Sequence, residues 1–153
     1  MRRELILKTI QHIPGISFNE ICRKTNLSNG IVSHYIIQLI EEGKLEKFGD
    51  GRIKYFHPKV PKNDRAIITV LRNTTNREIL RLLMETKSIL TSEEISTKIK
   101  KSRSTVSVSL KNLQKKSLVE RIIMNKKTKL NADIGFKINQ IDYSKAFIAK
   151  YHI

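Results

Sequence analysis

Tryptophan is absent and there is a single cysteine, Cys22. One thiol excludes an intrachain disulfide and a zinc site built on several cysteines, and it fits a reducing, intracellular compartment. The histidines, His12, His34, His57 and His152, stand without metal-ligand spacing. Aromatic residues make up only 6% of the chain, which is little for a protein that stacks unpaired bases on exposed rings. No apolar run nears the ~18 residues of a membrane span. At the N-terminus Leu5-Ile6-Leu7 is broken at once by Lys8, too soon for a signal-peptide core. Gly-rich phosphate loops, metal clusters and nucleophile motifs are missing, so neither an enzyme nor a cofactor is expected. Acidic residues are scarce as well: 14 Asp and Glu face 30 Lys and Arg, a net charge of +16 on 153 residues. That excess is more than solubility requires and points to a polyanionic partner, of which nucleic acid is the commonest. The 39% of hydrophobic residues suffices for a packed core, and the length suits one domain or two very small ones.

What is present is a repeat. At an offset of 74 residues, Ser17-Phe18-Asn19-Glu20-Ile21 falls on Thr91-Ser92-Glu93-Glu94-Ile95. At the same offset Ser28, Val32, Ser33, Ile36 and Leu39 fall on Ser102, Val106, Ser107, Leu110 and Leu113, and Gly43, Leu45 and Glu46 on Ser117, Val119 and Glu120. Three blocks in one register argue for a duplicated unit of roughly 60–70 residues. Pro58-Lys59-Val60-Pro61-Lys62-Asn63 reads as a connector. Residues 64–72 then place Ala66, Ile67, Val70 and Leu71 on one side of a helix. The expected division is therefore a first domain over 1–60, a connector with a helix over 61–75, and a second domain over 76–153 that includes a C-terminal helix.

Within unit one, Leu5, Ile6, Thr9, Ile10 and Ile13 predict a helix from about Arg3 to His12, stopped by Pro14-Gly15. Ser17-x-x-Glu20 is a capping-box pattern and starts a second helix that runs to about Thr25. Leu27-Ser28 reads as a tight turn with Ser28 as the next N-cap. The third helix buries Val32, Tyr35 or Ile36, and Leu39, and Gly43 ends it. The period then changes: 44–48 and 52–56 alternate like half-buried strands around Gly49-Asp50-Gly51. Unit two repeats the order, with helices over 76–86, 91–100 and 102–116 and a strand over 118–124. A basic turn at 125–128 leads to a returning strand within 130–139. Asp142 then caps a helix from Tyr143 to Tyr151, whose apolar residues are Ala146, Phe147, Ile148 and Tyr151. Three helices followed by a hairpin, twice over, is a mainly α fold with small β wings: two tandem winged helix-turn-helix domains.

Ile13-Pro14-Gly15-Ile16-Ser17-Phe18-Asn19-Glu20-Ile21, Leu27-Ser28-Asn29-Gly30-Ile31-Val32-Ser33-His34-Tyr35 and Glu42-Gly43-Lys44-Leu45 resemble archaeal winged helix-turn-helix transcription regulators. Many of these carry two winged helices in one chain, and their broader relatives are the MarR-like and ArsR-like repressors. The resemblance covers both units and is strongest over 13–56. It implies transcription regulation through double-stranded DNA in the cytoplasm, in association with the nucleoid. Two features depart from the pattern. MarR-like helices often place Arg directly after the Val-Ser step, where this chain has His34 and Val108. The Cys or His clusters of ArsR-like metal sensors are lacking, so no metal site is expected.

The third helix of a helix-turn-helix lies in the major groove and reads base edges from its N-terminal exposed face. In unit one that face offers Ser28, Asn29, Gly30, Ser33, His34 and Gln38; Asn and Gln pair bidentately with adenine, and Gly30 permits close approach. In unit two it offers Lys101, Ser102, Arg103, Ser104, Ser107 and Lys111, suited to guanine or phosphate. The wings add Arg52 and Lys54, and Lys126, Lys127 and Lys129, for phosphate or the minor groove. Residues 1–62 hold 11 Lys or Arg against 6 Asp or Glu, net +5, and residues 63–153 hold 19 against 8, net +11. Unit two is thus expected to supply more of the salt-dependent affinity and unit one more of the sequence reading. Cys22 is expected as a small core residue. The Phe147/Ile148/Tyr151 stripe either packs on unit two or joins a second chain in a homodimer. The competing reading is a tandem winged-helix module that binds protein in the basal transcription or chromosome-organisation machinery.

Overall fold

The computed structural model describes residues 1–125 and 133–153. Contacts group these into two units: Met1–Arg72 with Ala149–Ile153, and Asn73–Ile148.

Unit one runs α1 (Arg2–His12), β1 (Ile16–Ser17), α2 (Phe18–Thr25), α3 (Asn29–Glu41), β2 (Glu46–Phe48), β3 (Lys54–Phe56) and α4 (Lys62–Arg72). Its core gathers Ile6 and Ile10 of α1, Ile16, Ile21, Val32, Ile36, Leu39, Leu45 and Tyr55. Of the two alternatives on α3, Ile36 is the buried one, while Tyr35 and Cys22 pack half-buried against this cluster. Leu5 lies outside it, exposed on α1. Ser17 accepts from the Glu20 N–H at 3.3 Å. Its hydroxyl donates to Glu20 Oε1 at 3.3 Å, so the carboxylate meets the cap side chain and the reciprocal half of the expected box is not made. Ser17 also closes β1, a two-residue strand that the sequence pattern did not announce. The sheet order is β1-β3-β2, antiparallel, with Ile16 opposite Tyr55 and Phe48 opposite Lys54. This register leaves 49–53 as the wing loop, so the strands expected over 44–48 and 52–56 are shorter and Arg52 sits in the loop.

Glycines at two turns of unit one meet a left-handed φ. Gly15 (φ +79°) donates its N–H to the Tyr55 carbonyl at 3.0 Å. A Cβ there would stand 2.9 Å from Ile68 Cγ2 and 3.2 Å from Phe56 Cζ. Gly43 (φ +72°) closes α3, with Lys44 N–H donating to the Leu39 carbonyl at 2.9 Å, the arrangement of a Schellman cap.

The expected helix over 64–72 begins earlier, at Lys62, and faces otherwise than its pattern suggested. Arg65, Ile68 and Leu71 are its buried residues, while Ala66, Ile67 and Val70 are half-buried. Arg65 is only 4% exposed. Its burial is compensated, because Nε donates to the Val60 carbonyl at 2.9 Å and Nη2 donates to Glu46 Oε1 at 2.7 Å. The guanidinium also lies over the Phe56 ring, 5.6 Å from its centroid. These contacts place α4 with unit one, where the sequence pattern suggested a separate connector.

Unit two runs α5 (Thr74–Thr86), α6 (Ser92–Ile99), α7 (Arg103–Lys115), β4 (Val119–Asn125) and β5 (Asp133–Ile138), and α8 (Ile141–Tyr151) begins in it. Asn73 caps α5 by accepting from Asn76 N–H at 3.0 Å, which starts that helix two residues before the expected Asn76. Here the capping box is complete: Thr91 N–H donates to Glu94 Oε1 at 3.2 Å and Glu94 N–H to Thr91 Oγ1 at 3.1 Å. Buried Ile79, Leu80, Leu83, Ile95, Val106, Leu110, Leu113 and Leu118 repeat the pattern of unit one. Leu90 and Phe136 exchange backbone hydrogen bonds of 3.0 and 2.7 Å, the counterpart of β1. Ser117, aligned with Gly43, adopts the same left-handed conformation (φ +58°). Leu118 N–H donates to the Leu113 carbonyl at 3.0 Å, as Lys44 does to Leu39.

Asp142 lies in the first turn of α8, which begins at Ile141, so it is not the cap. Ala146 is exposed, Ile148 half-buried, and Phe147 and Tyr151 are buried within the chain. The end of the helix belongs with unit one. There the Tyr151 hydroxyl donates to Asp64 Oδ2, and the His152 ring stacks on His12 at 5.5 Å. No helix among the described residues is long and apolar enough to cross a membrane.

Candidate nucleic-acid interface

Each unit presents its third helix in the same way. Ser28 caps α3 by accepting from Ile31 N–H at 3.4 Å, and Ser102 caps α7 by accepting from Thr105 N–H at 3.2 Å. Both hydroxyls are thereby committed to starting the helix, and Ser102 Oγ also lies 2.8 Å from Thr105 Oγ1. The preceding turns are alike, with Asn26 (φ +59°) and Lys100 (φ +58°) both left-handed.

Opposite the buried Val32, Ile36 and Leu39, α3 exposes Gly30, His34, Ile37 and Glu41 at positions i, i+4, i+7 and i+11, which is one stripe of a helix. Asn29 is exposed at the first turn, and a Cβ at Gly30 would meet nothing within 4 Å. His34 packs edge-on to Tyr35 at 5.1 Å. Ser33 and Gln38 lie at the flanks and are half-buried, and Gln38 Oε1 is buried without a hydrogen-bond partner. Ser33, Ile37, Ile40 and Glu41 line a groove of about 460 Å³ with Phe18, Lys47 and Tyr55. Burial disfavours the charged phenolate of Tyr55 and raises its pKa above 10.0. No lysine or arginine lies on α3.

α7 exposes Ser104, Ser107, Val108, Lys111 and Lys115 opposite buried Val106, Leu110 and Leu113. Arg103, and Lys100 and Lys101 just before it, are exposed as well. α3 and α7 lack acidic residues in the first turn, as α5 does, whereas α1, α2, α4, α6 and α8 each carry at least one there. The positive ends of these two helices are therefore open to an anion. Of the expected wing cations, Arg52 is exposed in its loop and Lys54 is half-buried at the start of β3. Lys126, Lys127 and Lys129 lie outside the described residues.

Of the expected residues, Asn29, Gly30 and His34 share the exposed side of α3 and Ser104, Ser107 and Lys111 that of α7, while Ser33 and Gln38 are half-buried and Arg52 and Lys54 belong to the wing; Ile37, Val108, Lys100 and Lys115 are exposed nearby and were not selected from the sequence. The helical phase of Gly30 and His34, and of Ser104 and Lys111, carried the signal for Ile37, Val108 and Lys115; Lys100 lies before α7, at the C-cap of α6. Among the described residues no group of three or more His, Cys, Asp or Glu is placed to hold a metal ion.

Residues 1–68 match the family described as an N-terminal HTH domain, and residues 73–121 match the bacterial regulatory protein arsR family. The chain thus carries two winged helix-turn-helix domains in tandem, each matching a helix-turn-helix family over its own part of the chain. No curated protein matches the chain by sequence. Among solved structures it is similar to reduced HlyU from Vibrio cholerae N16961, at 16% identity and a TM-score of 0.47, over 59% of this chain and 86% of that one. It is also similar to a mutant of MepR from a multidrug-resistant S. aureus clinical isolate, at 19% identity and a TM-score of 0.45, over 78% and 76%. A third likeness is to a mutant of Lactococcus lactis ZitR, at 20% identity and a TM-score of 0.42, over 82% and 76%.

Proposed function

We propose that this regulator binds double-stranded DNA sequence-specifically, with α3 and α7 in the major groove and the wings on phosphate or in the minor groove, and that it performs no chemistry. The observation that carries the reading is the charge at the start of α7. Arg103 lies in the first turn of α7 and Lys101 just before it, where the macrodipole of that helix repels cations, while Lys100 joins them from the C-cap of α6. That placement works against the folded chain by a few tenths of a kcal/mol per charge, and an anionic partner reverses its sign. In this reading Arg103 meets guanine or phosphate, Lys101 and Lys111 meet phosphate, and Ser104 and Ser107 meet base or phosphate. In unit one Asn29 and His34 read base edges, Gly30 admits them closely, and Arg52 and Lys54 hold the adjoining backbone. Gln38 reaches a base only by turning out of its half-buried position. The second wing's Lys126, Lys127 and Lys129 take their place here from the sequence alone. A cytoplasmic, nucleoid-associated location goes with this function. A homodimer through α8 would use the face that carries Tyr143, since Phe147 and Tyr151 are buried within the chain.

A second reading draws on α3, whose outward face carries no cation and whose groove is largely apolar: unit one would then dock a protein while unit two holds DNA. Fluorescence anisotropy on duplex DNA, single-stranded DNA and RNA across a salt series decides the first question. Duplex preference with a steep negative salt slope supports the regulator. Equal binding to any polyanion would remove sequence-specific reading and bring the protein-docking module forward.

A further inference from the structure

Met1 aside, the most exposed large apolar side chains among the described residues are Val108, at 60%, and Ile37, at 56%. A lone exposed apolar residue is ordinary on a protein surface. These two, however, fall on the outward stripes of α7 and α3, the helix of each unit that the proposed function sets against bases. Val108 stands among Ser104, Ser107, Lys111 and Lys115, with no second apolar residue on that stripe to make a protein-docking patch. It is β-branched, which suits an exposed helix position poorly. The fold gains nothing from its side chain. Ile37 follows Gly30 by two turns and rims the groove beside Ser33. Its neighbour Ile36 supplies the core contact.

The major groove displays one apolar group, the C5 methyl of thymine. We propose that Ile37 and Val108 each read a thymine methyl, so that the site recognised by each unit contains an A·T pair facing that side chain. On α3 the polar part of the same reading comes from Asn29, whose amide matches the N6 and N7 edge of adenine. On α7 Arg103 and Lys111 flank the valine and hold phosphate or guanine, which leaves Val108 as the side chain on that stripe that responds to a methyl group. The inference rests on the regulator reading, and its test separates the two.

Duplexes are selected from a random pool with the full chain, and each thymine of the selected duplex is replaced singly by deoxyuridine, which lacks the methyl. One methyl group withdrawn from an apolar contact is worth about fourfold in affinity. The expected result is a loss of about fourfold at one thymine for Val108 and at another for Ile37, with other thymines changing by less than about 1.5-fold. Val108→Ala abolishes the thymine–uracil difference at its own position only, Ile37→Ala at the other, and both bind the uridine duplex within about twofold of the parent chain. Alanine is a better helix former than either residue, so folding is preserved. A selected duplex that tolerates uridine everywhere, or variants that keep the parent's thymine–uracil ratio, would overturn the inference and leave the regulator reading standing. A pool that yields no enriched sequence would remove both.

Discussion

Replacing Lys101, Arg103 and Lys111 together with glutamine takes away three of the five exposed cations on and just before α7, leaving Lys100 and Lys115. Each phosphate neutralised by a protein cation contributes about 0.9 to the slope of log K against log salt. If all three meet phosphate, the slope becomes shallower by about 2.7. Between about 50 and about 200 mM salt, the parent chain then loses about 40-fold more affinity than the variant does. The helix itself is not weakened, because two of the three charges oppose the macrodipole at its N-terminal end; circular dichroism and the unfolding midpoint should stay level or rise slightly. The assay is anisotropy of a labelled duplex across the salt range. The control is a chain with Lys145 and Lys150 of α8 replaced, two exposed cations that belong to neither recognition helix. An unchanged slope in the triple variant, or an equal change in the α8 control, would refute the placement of α7 against the backbone.

Three further outcomes follow from the fold. Gly15→Ala must hold a left-handed φ and set its Cβ 2.9 Å from Ile68, a buried side chain; it should destabilise by about 2–4 kcal/mol in denaturant titration, and a change below about 0.5 kcal/mol would contradict the described packing. Ser117→Gly should stabilise by about 1 kcal/mol, since Ser117 is left-handed where the first unit has Gly43; a loss of stability would mean that the serine makes a contact worth more than its backbone costs. Tyr55 has its pKa raised by burial, so the stability it confers is fully present below the unfolded value of about 10 and is lost as pH rises through the folded one. Unfolding midpoints measured between about pH 9.5 and about pH 11 should fall more for the parent chain than for Tyr55→Phe, and parallel curves would show that Tyr55 does not govern the alkaline limb.

Much of the interface is legible in the residues because helix ends are local events. Ser28, Ser102 and Thr91 each cap through a bond to an N–H three residues on, so a window of four residues contains the cause; Asn73 caps in the same way but was not read, and α5 was expected to start at Asn76. The wing was harder. Gly49-Asp50-Gly51 suggested a tight hairpin, yet the pairing of Phe48 with Lys54 sets a five-residue loop over 49–53, and a register depends on both strands and on the core that they cover. The third strand of each unit could not be read at all: Ile16–Ser17 and the Leu90 bridge are too short to show a period.

The duplication, the order of helices and wings in each unit, the caps that start the two recognition helices and the excess of charge in the second half were all readable in the residues. All of these reside in composition or in contacts a few positions apart. The packing of distant segments settled what the spacing left open along those helices. Ile36 and Ile37 are adjacent and chemically identical, yet one is core and the other 56% exposed, because Ile36 joins the cluster that holds Ile6 and Ile10 of α1 and Tyr55 of β3. Arg65 reads as a surface cation until Glu46 and the Val60 carbonyl close on it. The groups that bury a charge or leave an isoleucine bare come from distant parts of the chain, and no local pattern records where they will land.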